Sequence, residues 1–341
     1  MREDSWMTKR IVECVPNFSE GRDETKVRLI AGEIQRAEGV KVLDIDISPS
    51  YNRSVITFVG MPEGVKEAAF SAIAKAVELI DMSMHRGEHP RLGACDVCPF
   101  VPIQDATIAD CVVLAGELGR EVAEKLAVPV YLYGEAARSS DREDLARIRA
   151  GEYEGLAEKL RDPVWKPDFG PVVLNRRAGA VMIGARGPLI AFNINLRAES
   201  KKAVDIIAGR IRESGWTSIS QDGKKVRLPG VFREVKALGV SLEDCGIYQV
   251  STNLTNYKVT PPHEVFEMVK RLSPGLGEVI GSEIVGLVPK EAILAAGSFY
   301  SPEEQSEKAL IDCAINSLGL NSLKEFDASK KIIEYLIEED Q

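Results

Sequence analysis

Hydrophobic and polar positions switch between two periods along this chain. Residues 11–15 form a short apolar run, and Val27, Ile30 and Ile34 then recur at helical spacing. Residues 40–47 set Val42, Asp44 and Asp46 against Leu43, Ile45 and Ile47, the period of a strand, so the two aspartates share one face. The pattern predicts a further strand over 54–59, a long helix over 63–80 and a strand over 96–102. Helices around 117–126 and 142–150 flank a short strand at 130–133. Beyond them, 189–196 reads as a strand, 200–213 as a helix, and 332–337 as an apolar-faced helix before an acidic end, Glu338-Glu339-Asp340-Gln341. Strands and helices alternating in this way predict an α/β (α+β) architecture.

One segment interrupts the alternation. Pro163, Pro167 and Pro171 fall with Gly170 and Gly179 inside 162–180, a density that excludes a continuous helix or a central strand. The domain boundary is placed here, giving a tail over 1–9, a first subdomain over 10–178 and a second over 179–341. The halves echo one another. Residues 55–59, a helix and 96–102 repeat as 248–252, a helix from about Pro262, and 283–289. Each is a strand, a helix and an acid-led apolar run ending in Val-Pro. This predicts two related subdomains, each a mixed β-sheet covered by helices.

Charge narrows the function classes. Lys and Arg number 43 against 52 Asp and Glu, a net charge of −9, which argues against a nucleic-acid binder. No stretch approaches the ~20 apolar residues of a membrane span. The N-terminus is polar and lacks the apolar run of a signal peptide, so a cytoplasmic protein is expected, with Met7 as an alternative start to Met1. Six cysteines in 341 residues are too few for a disulfide scaffold. Cys95 and Cys98 form a C-x-x-C pair, but no second ligand pair stands at zinc spacing, and the pair runs into a strand rather than opening a helix. Buried structural thiols are expected. There is no P-loop and no G-x-G-x-x-G after a strand.

The chain has three histidines, His85, His89 and His263. His85-Arg86-Gly87-Glu88-His89 has the H-x-x-E-H form of an inverted zinc-protease motif. That mechanism needs a helix, and Gly87 and Pro90 oppose one, so the segment is expected to be a loop and no metal is expected. Two readings of the loop fit its residue types equally. In one, a loop histidine is an acid/base catalyst, with Pro90 holding the His89 backbone extended and Arg86 and Arg91 as donors to carboxylates. In the other, the arginines simply pair with Glu88 and Asp96 on a surface loop. A second polar cluster, Ser48-Pro49-Ser50-Tyr51-Asn52-Arg53, follows the strand bearing Asp46, a carboxylate able to orient a histidine or merely to solvate a strand end. His263, after Pro261-Pro262, reads as a helix-terminus residue.

Longer motifs then accumulate. Val12-Glu13-Cys14-Val15-Pro16-Asn17-Phe18-Ser19-Glu20-Gly21, His85-Arg86-Gly87-Glu88-His89-Pro90-Arg91-Leu92-Gly93-Ala94 and Val130-Tyr131-Leu132-Tyr133-Gly134-Glu135 resemble segments of the glutamate formiminotransferase family. So do Pro167-Asp168-Phe169-Gly170-Pro171, Ile190-Ala191-Phe192-Asn193-Ile194-Asn195-Leu196 and Val285-Gly286-Leu287-Val288-Pro289, and the resemblance covers about residues 10–337. It implies transfer of a formimino group from N-formimino-L-glutamate to tetrahydrofolate in histidine degradation and one-carbon metabolism. It implies two α/β subdomains with the folate between them, a homodimer, and no tightly bound cofactor, tetrahydrofolate being a co-substrate. The family's catalytic histidine matches His89 and its associated aspartate matches Asp46. Its folate segment matches Gly170, Pro171, Val172, Val173, Leu174, Asn175, Arg176, Arg177, Ala178 and Gly179. The chain departs from the animal pattern most within 172–178, where Arg176 and Arg177 add charge. Animal members often carry a fused cyclodeaminase, and no such activity is expected of this chain. A formyl transferase, a folate-cyclising relative and a non-catalytic folate-binding protein are the alternatives.

Overall fold

The computed structural model describes residues 10–220, 222–242 and 246–338. The expected tail over 1–9 with Met1 and Met7, Cys245, and the end of the acidic terminus (339–341) lie outside the described residues. The chain divides into two compact units at Gly187/Pro188. Among the described residues no helix is long and apolar enough to cross a membrane.

The first unit runs β1 (Ile11–Cys14), β2 (Asn17–Phe18), α1 (Glu24–Gln35), β3 (Val40–Ser48), β4 (Arg53–Gly60), α2 (Pro62–Leu79), β5 (Cys95–Gln104), α3 (Ile108–Leu126), β6 (Val130–Gly134), α4 (Leu145–Arg149), α5 (Glu152–Lys159) and β7 (Val181–Ala185). Antiparallel pairing places β4 beside β3, and places β1 and β2, end to end, between β4 and β5. On the far side of β5, β7 and then β6 add in parallel. Local chemistry explains the helix ends. Asp23 caps α1 by accepting from Thr25 N and Lys26 N, and Thr107 and Asp110 form a capping box that starts α3 well before the 117 expected from periodicity. Val27, Ile30 and Ile34 of α1 are buried, as their spacing predicts, in one core with Ala68, Ala72 and Ile73 of α2 and Leu114 and Leu118 of α3. The segment expected as a helix over 142–150 is only the short α4.

The boundary lies beyond the expected 178/179 because residues 181–185 are apolar and complete the first sheet between β5 and β6. The proline-rich stretch is therefore a loop of the first unit and not a linker. A second, smaller core fills the other face of β5, β6 and β7. There Leu92, Val97, Tyr131, Tyr133 and Met182 pack against Ile148 of α4 and Leu156 and Leu160 around α5. This core seats α4 and α5 beside the histidine loop.

The second unit runs β8 (Ile190–Arg197), α6 (Lys201–Ile211), β9 (Trp216–Ile219), β10 (Lys225–Leu228), β11 (Val235–Leu242), β12 (Ile247–Leu254), α7 (Pro262–Leu272), β13 (Glu278–Val285), α8 (Lys290–Tyr300), α9 (Glu307–Leu318), α10 (Ala328–Lys331) and α11 (Ile333–Glu338). Its main sheet has the order β11-β12-β8-β13, antiparallel throughout. The echo in the sequence is an echo of topology. β1-α1-β3-β4-α2-β5 and β8-α6-β11-β12-α7-β13 are both split βαββαβ units, and in each the first strand pairs antiparallel with the third and fourth while the second pairs with the third. Phe192, Ile194 and Leu196 of β8 face the core. The alternate residues Asn193 and Asn195 join Gln249 and Glu283 in a polar network on the opposite face, with Gln249 Nε2 2.7 Å from both Asn195 Oδ1 and Glu283 Oε1.

Candidate active site

His89 lies in the loop that joins α2 to β5. The residues at 81–94 are non-helical, as Gly87 and Pro90 predict. Neighbouring turns hold the loop. Met82 N donates to Arg177 O (2.9 Å) and Ala94 N to Ala178 O (2.8 Å). Asn52 Nδ2 donates to Arg86 O (2.9 Å). Gly87 is required because a Cβ there would stand 2.3 Å from Tyr51 O. Gly179 combines φ +70° with a Cβ position 2.1 Å from Leu92 O. The turn over 48–53 and the segment over 175–179 thus grip the loop from two sides.

The two loop histidines differ in hydrogen bonding. His85 is buried, with Nε2 2.9 Å from Asn52 O. A carbonyl only accepts, so Nε2 carries the proton and Nδ1 accepts from Arg91 Nε at 3.1 Å. Burial, reinforced by the Arg91 charge, pushes the His85 pKa down. Both ring nitrogens are engaged, so His85 and His89 do not form the ligand pair of the H-x-x-E-H motif. Among the described residues there is no group of three or more His, Cys, Asp or Glu able to hold a metal. His89 is half-buried and has only one ring nitrogen bonded: Nδ1–H donates to Pro90 O at 2.7 Å. This fixes the tautomer with an unprotonated, unbonded Nε2, the form of a proton acceptor. The Tyr51 ring meets His89 edge-on, 5.9 Å between centroids.

The charges acting on His89 come from a hub that the sequence did not reveal. Asp96, fully buried at the start of β5, accepts from Arg53 Nη1 (2.8 Å), Arg149 Nη2 (2.7 Å) and Leu92 N (2.8 Å). Asn17 Oδ1 accepts from Arg53 Nη2 at 2.9 Å and so orients that guanidinium. Burial alone would raise the Asp96 pKa, but Arg149, Arg53 and the Leu92 amide together hold it at about 2. For His89, desolvation and then the Arg53 and Arg149 charges lower the pKa to about 3, with Asp96 opposing. These residues lie 43 and 53 positions from Asp96 in sequence. The available signal was Asp96 itself, an acid at the head of an otherwise apolar strand directly after the histidine loop.

The other expected site residues divide. Arg91 is corrected. Its Nε bonds His85 Nδ1, Nη1 bonds Glu152 and Glu154, and Nη2 bonds Glu154 and His85 O. All five guanidinium N–H groups are committed, so Arg91 binds the neighbouring helix α5 and has none left for a substrate. Its partners are also not the Glu88 or Asp96 of the surface-loop reading. Arg86 is exposed and gives one bond, from Nη1 to His85 O (2.6 Å). It lines a cleft of about 410 Å³ with Gly87, Arg91, Gly151, Glu152 and Glu154. Asp46 shares a strand face with Asp44, opposite Val55, and is half-buried. The structure does not join it to His89 by a hydrogen bond, since Pro90 O holds the imidazole; among the described residues Asp46 makes no hydrogen bond or ion pair.

The segment over 170–179 has two parts. Asn175 Oδ1 accepts from Arg177 N (3.2 Å) and Ala178 N (3.0 Å), and Gly179 N donates to Asn175 O (2.7 Å), closing the turn that grips the histidine loop. Before it, Val172 and Val173 are 48% and 68% exposed, flanked by Gly170, Pro171 and Leu174. Arg177 Nη2 donates to Glu78 O (2.7 Å) at the end of α2, while the Arg176 side chain is exposed. His263 lies near the start of α7, stacked on Phe299 at 4.6 Å. Cys14, Cys95, Cys98 and Cys111 are buried free thiols; Cys14 Sγ is 3.5 Å from Cys98 Sγ, and burial raises the Cys14 and Cys95 pKa values well above 9.0.

Comparison with known proteins identifies the family. Residues 11–186 match the model of the formiminotransferase domain, N-terminal subdomain, and 191–338 that of the formiminotransferase domain. A glutamate formimidoyltransferase of Thermoplasma acidophilum is 46% identical over 293 residues, covering 85% of this chain and 92% of that protein. One from Streptococcus pyogenes is 40% identical over 85% of this chain and 93% of its own length. A formimidoyltransferase-cyclodeaminase of Mus musculus is 47% identical over 96% of this chain, but the chain spans only 60% of that longer relative. Both subdomain models are matched in order across nearly all the described residues, and the chain belongs to the formiminotransferase family.

Proposed function

We propose that this protein is a glutamate formimidoyltransferase, moving the formimino group from N-formimino-L-glutamate to N5 of tetrahydrofolate. The observation that carries the reading is His89, with its tautomer fixed by Pro90 O and its Nε2 lone pair free, in a chain of this family. The acceptor's N5–H attacks the amidinium carbon of the donor, and His89 Nε2 takes the N5 proton as the tetrahedral intermediate forms. It returns that proton to the glutamate nitrogen as the C–N bond breaks, releasing 5-formiminotetrahydrofolate and L-glutamate. Such proton management contributes about 10²–10⁴-fold, and holding both substrates together adds further rate. No step requires a resident cofactor; tetrahydrofolate is the co-substrate.

Asp46 favours the formimino over the formyl reading. A formimino group on nitrogen is an amidinium, cationic near neutral pH, whereas a formyl group is neutral. A half-buried carboxylate without a protein partner suits the cation, and Asp46 holds it in this scheme. Val172 and Val173 offer apolar surface to the folate ring system, with Gly170, Pro171 and Leu174 shaping the loop and Asn175, Ala178 and Gly179 bracing it. Arg176 and Arg86 remain as cations for carboxylates. The family resemblance further supports a cytoplasmic homodimer, for which light scattering on the purified protein is the check.

The test is turnover of formiminoglutamate with tetrahydrofolate, set beside a formyl donor. Turnover of the formimino donor, a loss of at least 10²-fold in His89→Ala, and a loss in Asp46→Asn confined to the formimino donor are expected. Tetrahydrofolate binding without glutamate release would leave a folate-binding protein, and near-normal turnover by His89→Ala would remove the assigned base.

A further inference from the structure

We propose that Arg149 anchors a carboxylate of the reactants beside His89. The inference rests on the formimino-transfer reading for the identity of the reactants, both of which carry glutamyl carboxylates, in the donor and in the folate tail. It rests on geometry for the anchor.

Arg149 is the last residue of α4, and the small core on the second face of the sheet holds that helix against β5, β6 and β7. Its side chain is 14% exposed. Among the described residues its only hydrogen-bond partner is Asp96, through Nη2 at 2.7 Å, and the accepting Oδ2 is shared with Arg53. Nε is buried with no partner, and Nη1 makes no hydrogen bond. Four of its five N–H groups are thus uncommitted, and Nη1, which unlike Nε is not on the buried side of the group, stands with the second Nη2 hydrogen as the pair a ligand can take. Arg91, within the histidine loop, shows what a purely structural arginine does here, with all five N–H groups committed.

Charge points the same way. Two guanidiniums meet one carboxylate at Asp96, leaving an excess positive charge within electrostatic reach of the His89 imidazole. A carboxylate on Nη1 and the remaining Nη2 hydrogen would form the two-pronged contact that guanidinium favours. It would neutralise the excess charge and make the imidazole a stronger proton acceptor when substrate is bound. Arg149 thus acts as a binding and positioning residue, and His89 remains the group that moves the proton.

The experiment measures KM for formiminoglutamate and for tetrahydrofolate, the pH profile of kcat/KM, and L-glutamate binding by calorimetry, in the native chain, Arg149→Gln and Arg149→Lys. Arg149→Gln is expected to raise one KM by about 10–100-fold, the loss of a charge-assisted contact, and to move the acid limb of kcat/KM to higher pH because a cation has left the neighbourhood of His89. A rise for formiminoglutamate, with weakened L-glutamate binding, assigns the carboxylate to the donor. A rise for tetrahydrofolate assigns it to the folate tail. Unchanged KM values for both, in protein of normal melting temperature, overturn the proposal. If Arg149→Gln does not fold, Arg149→Lys decides in the same way, because it keeps a cation on Asp96 but only as a point donor. If the native chain does not turn over formiminoglutamate, the formimino reading falls by itself. The anchor is then judged by calorimetry: L-glutamate binding weakened at least tenfold by Arg149→Lys keeps it, and absent or unaltered binding ends it.

Discussion

Arg91 and Arg149 carry the same charge, and only their hydrogen bonds separate a brace from a candidate binding group. The titrating residues around them also set the acid behaviour of the fold. The Asp96 carboxyl is held at about 2 against an ordinary 3.8, so its contribution, about 2 kcal/mol, is present above pH 3.8 and is lost as pH falls toward 2. His89 works in the opposite sense for a histidine. Its pKa is lowered from 6.5 to about 3, so between those values the unfolded chain binds a proton that the folded chain refuses. Stability therefore declines as pH falls from 6.5, with His89 contributing first and Asp96 later. Urea unfolding at pH 7 and pH 4.5 is expected to show a smaller loss for His89→Ala than for the native chain; equal losses would show that the imidazole is not held neutral. Asp96→Asn leaves two buried guanidiniums without their counter-ion and is expected to cost about 3–5 kcal/mol at pH 7.

At the scale of elements, the site depends on two short helices that hydrophobic periodicity barely registers. α4 and α5 are too short to be stable alone and persist because Ile148 and Leu156 complete the small core under β5, β6 and β7. Through them Arg149 reaches Asp96, and Glu152 and Glu154 reach Arg91. Leu156→Ala is expected to destabilise the protein by about 2–5 kcal/mol in urea unfolding. It is also expected to lower turnover of the fraction that remains folded, because α5 brings the partners of Arg91. Unaltered turnover in folded Leu156→Ala would show that α5 is only a cover.

At the scale of the whole molecule, each unit has its own core, and the two share one βαββαβ topology. A chain of residues 188–338 alone is accordingly expected to fold cooperatively, read by circular dichroism and a single thermal transition; a chain without cooperative melting would refute independent folding. Much of this was legible in the sequence. A period-two run placed β3, strand-like segments placed β4 and β8, the Val27-Ile30-Ile34 spacing placed α1, Gly87 and Pro90 announced a loop, and the repeated strand-helix-strand pattern announced two related halves. These features are local, set by backbone propensity and by which face of an element is apolar. The 178/179 boundary failed because proline density reports only a loop, whereas the partner that 181–185 finds depends on strand pairing with distant residues. The candidate site divides along the same line. The sequence by itself determined that His89 would sit in a constrained loop, because glycine and proline act within a residue or two. Only the tertiary structure decided that Arg53 and Arg149 converge on Asp96, that Arg91 is fully bonded to His85 and α5, and that Pro90 O rather than Asp46 holds the imidazole. A hydrogen bond between residues tens of positions apart exists only after the sheet has brought them together.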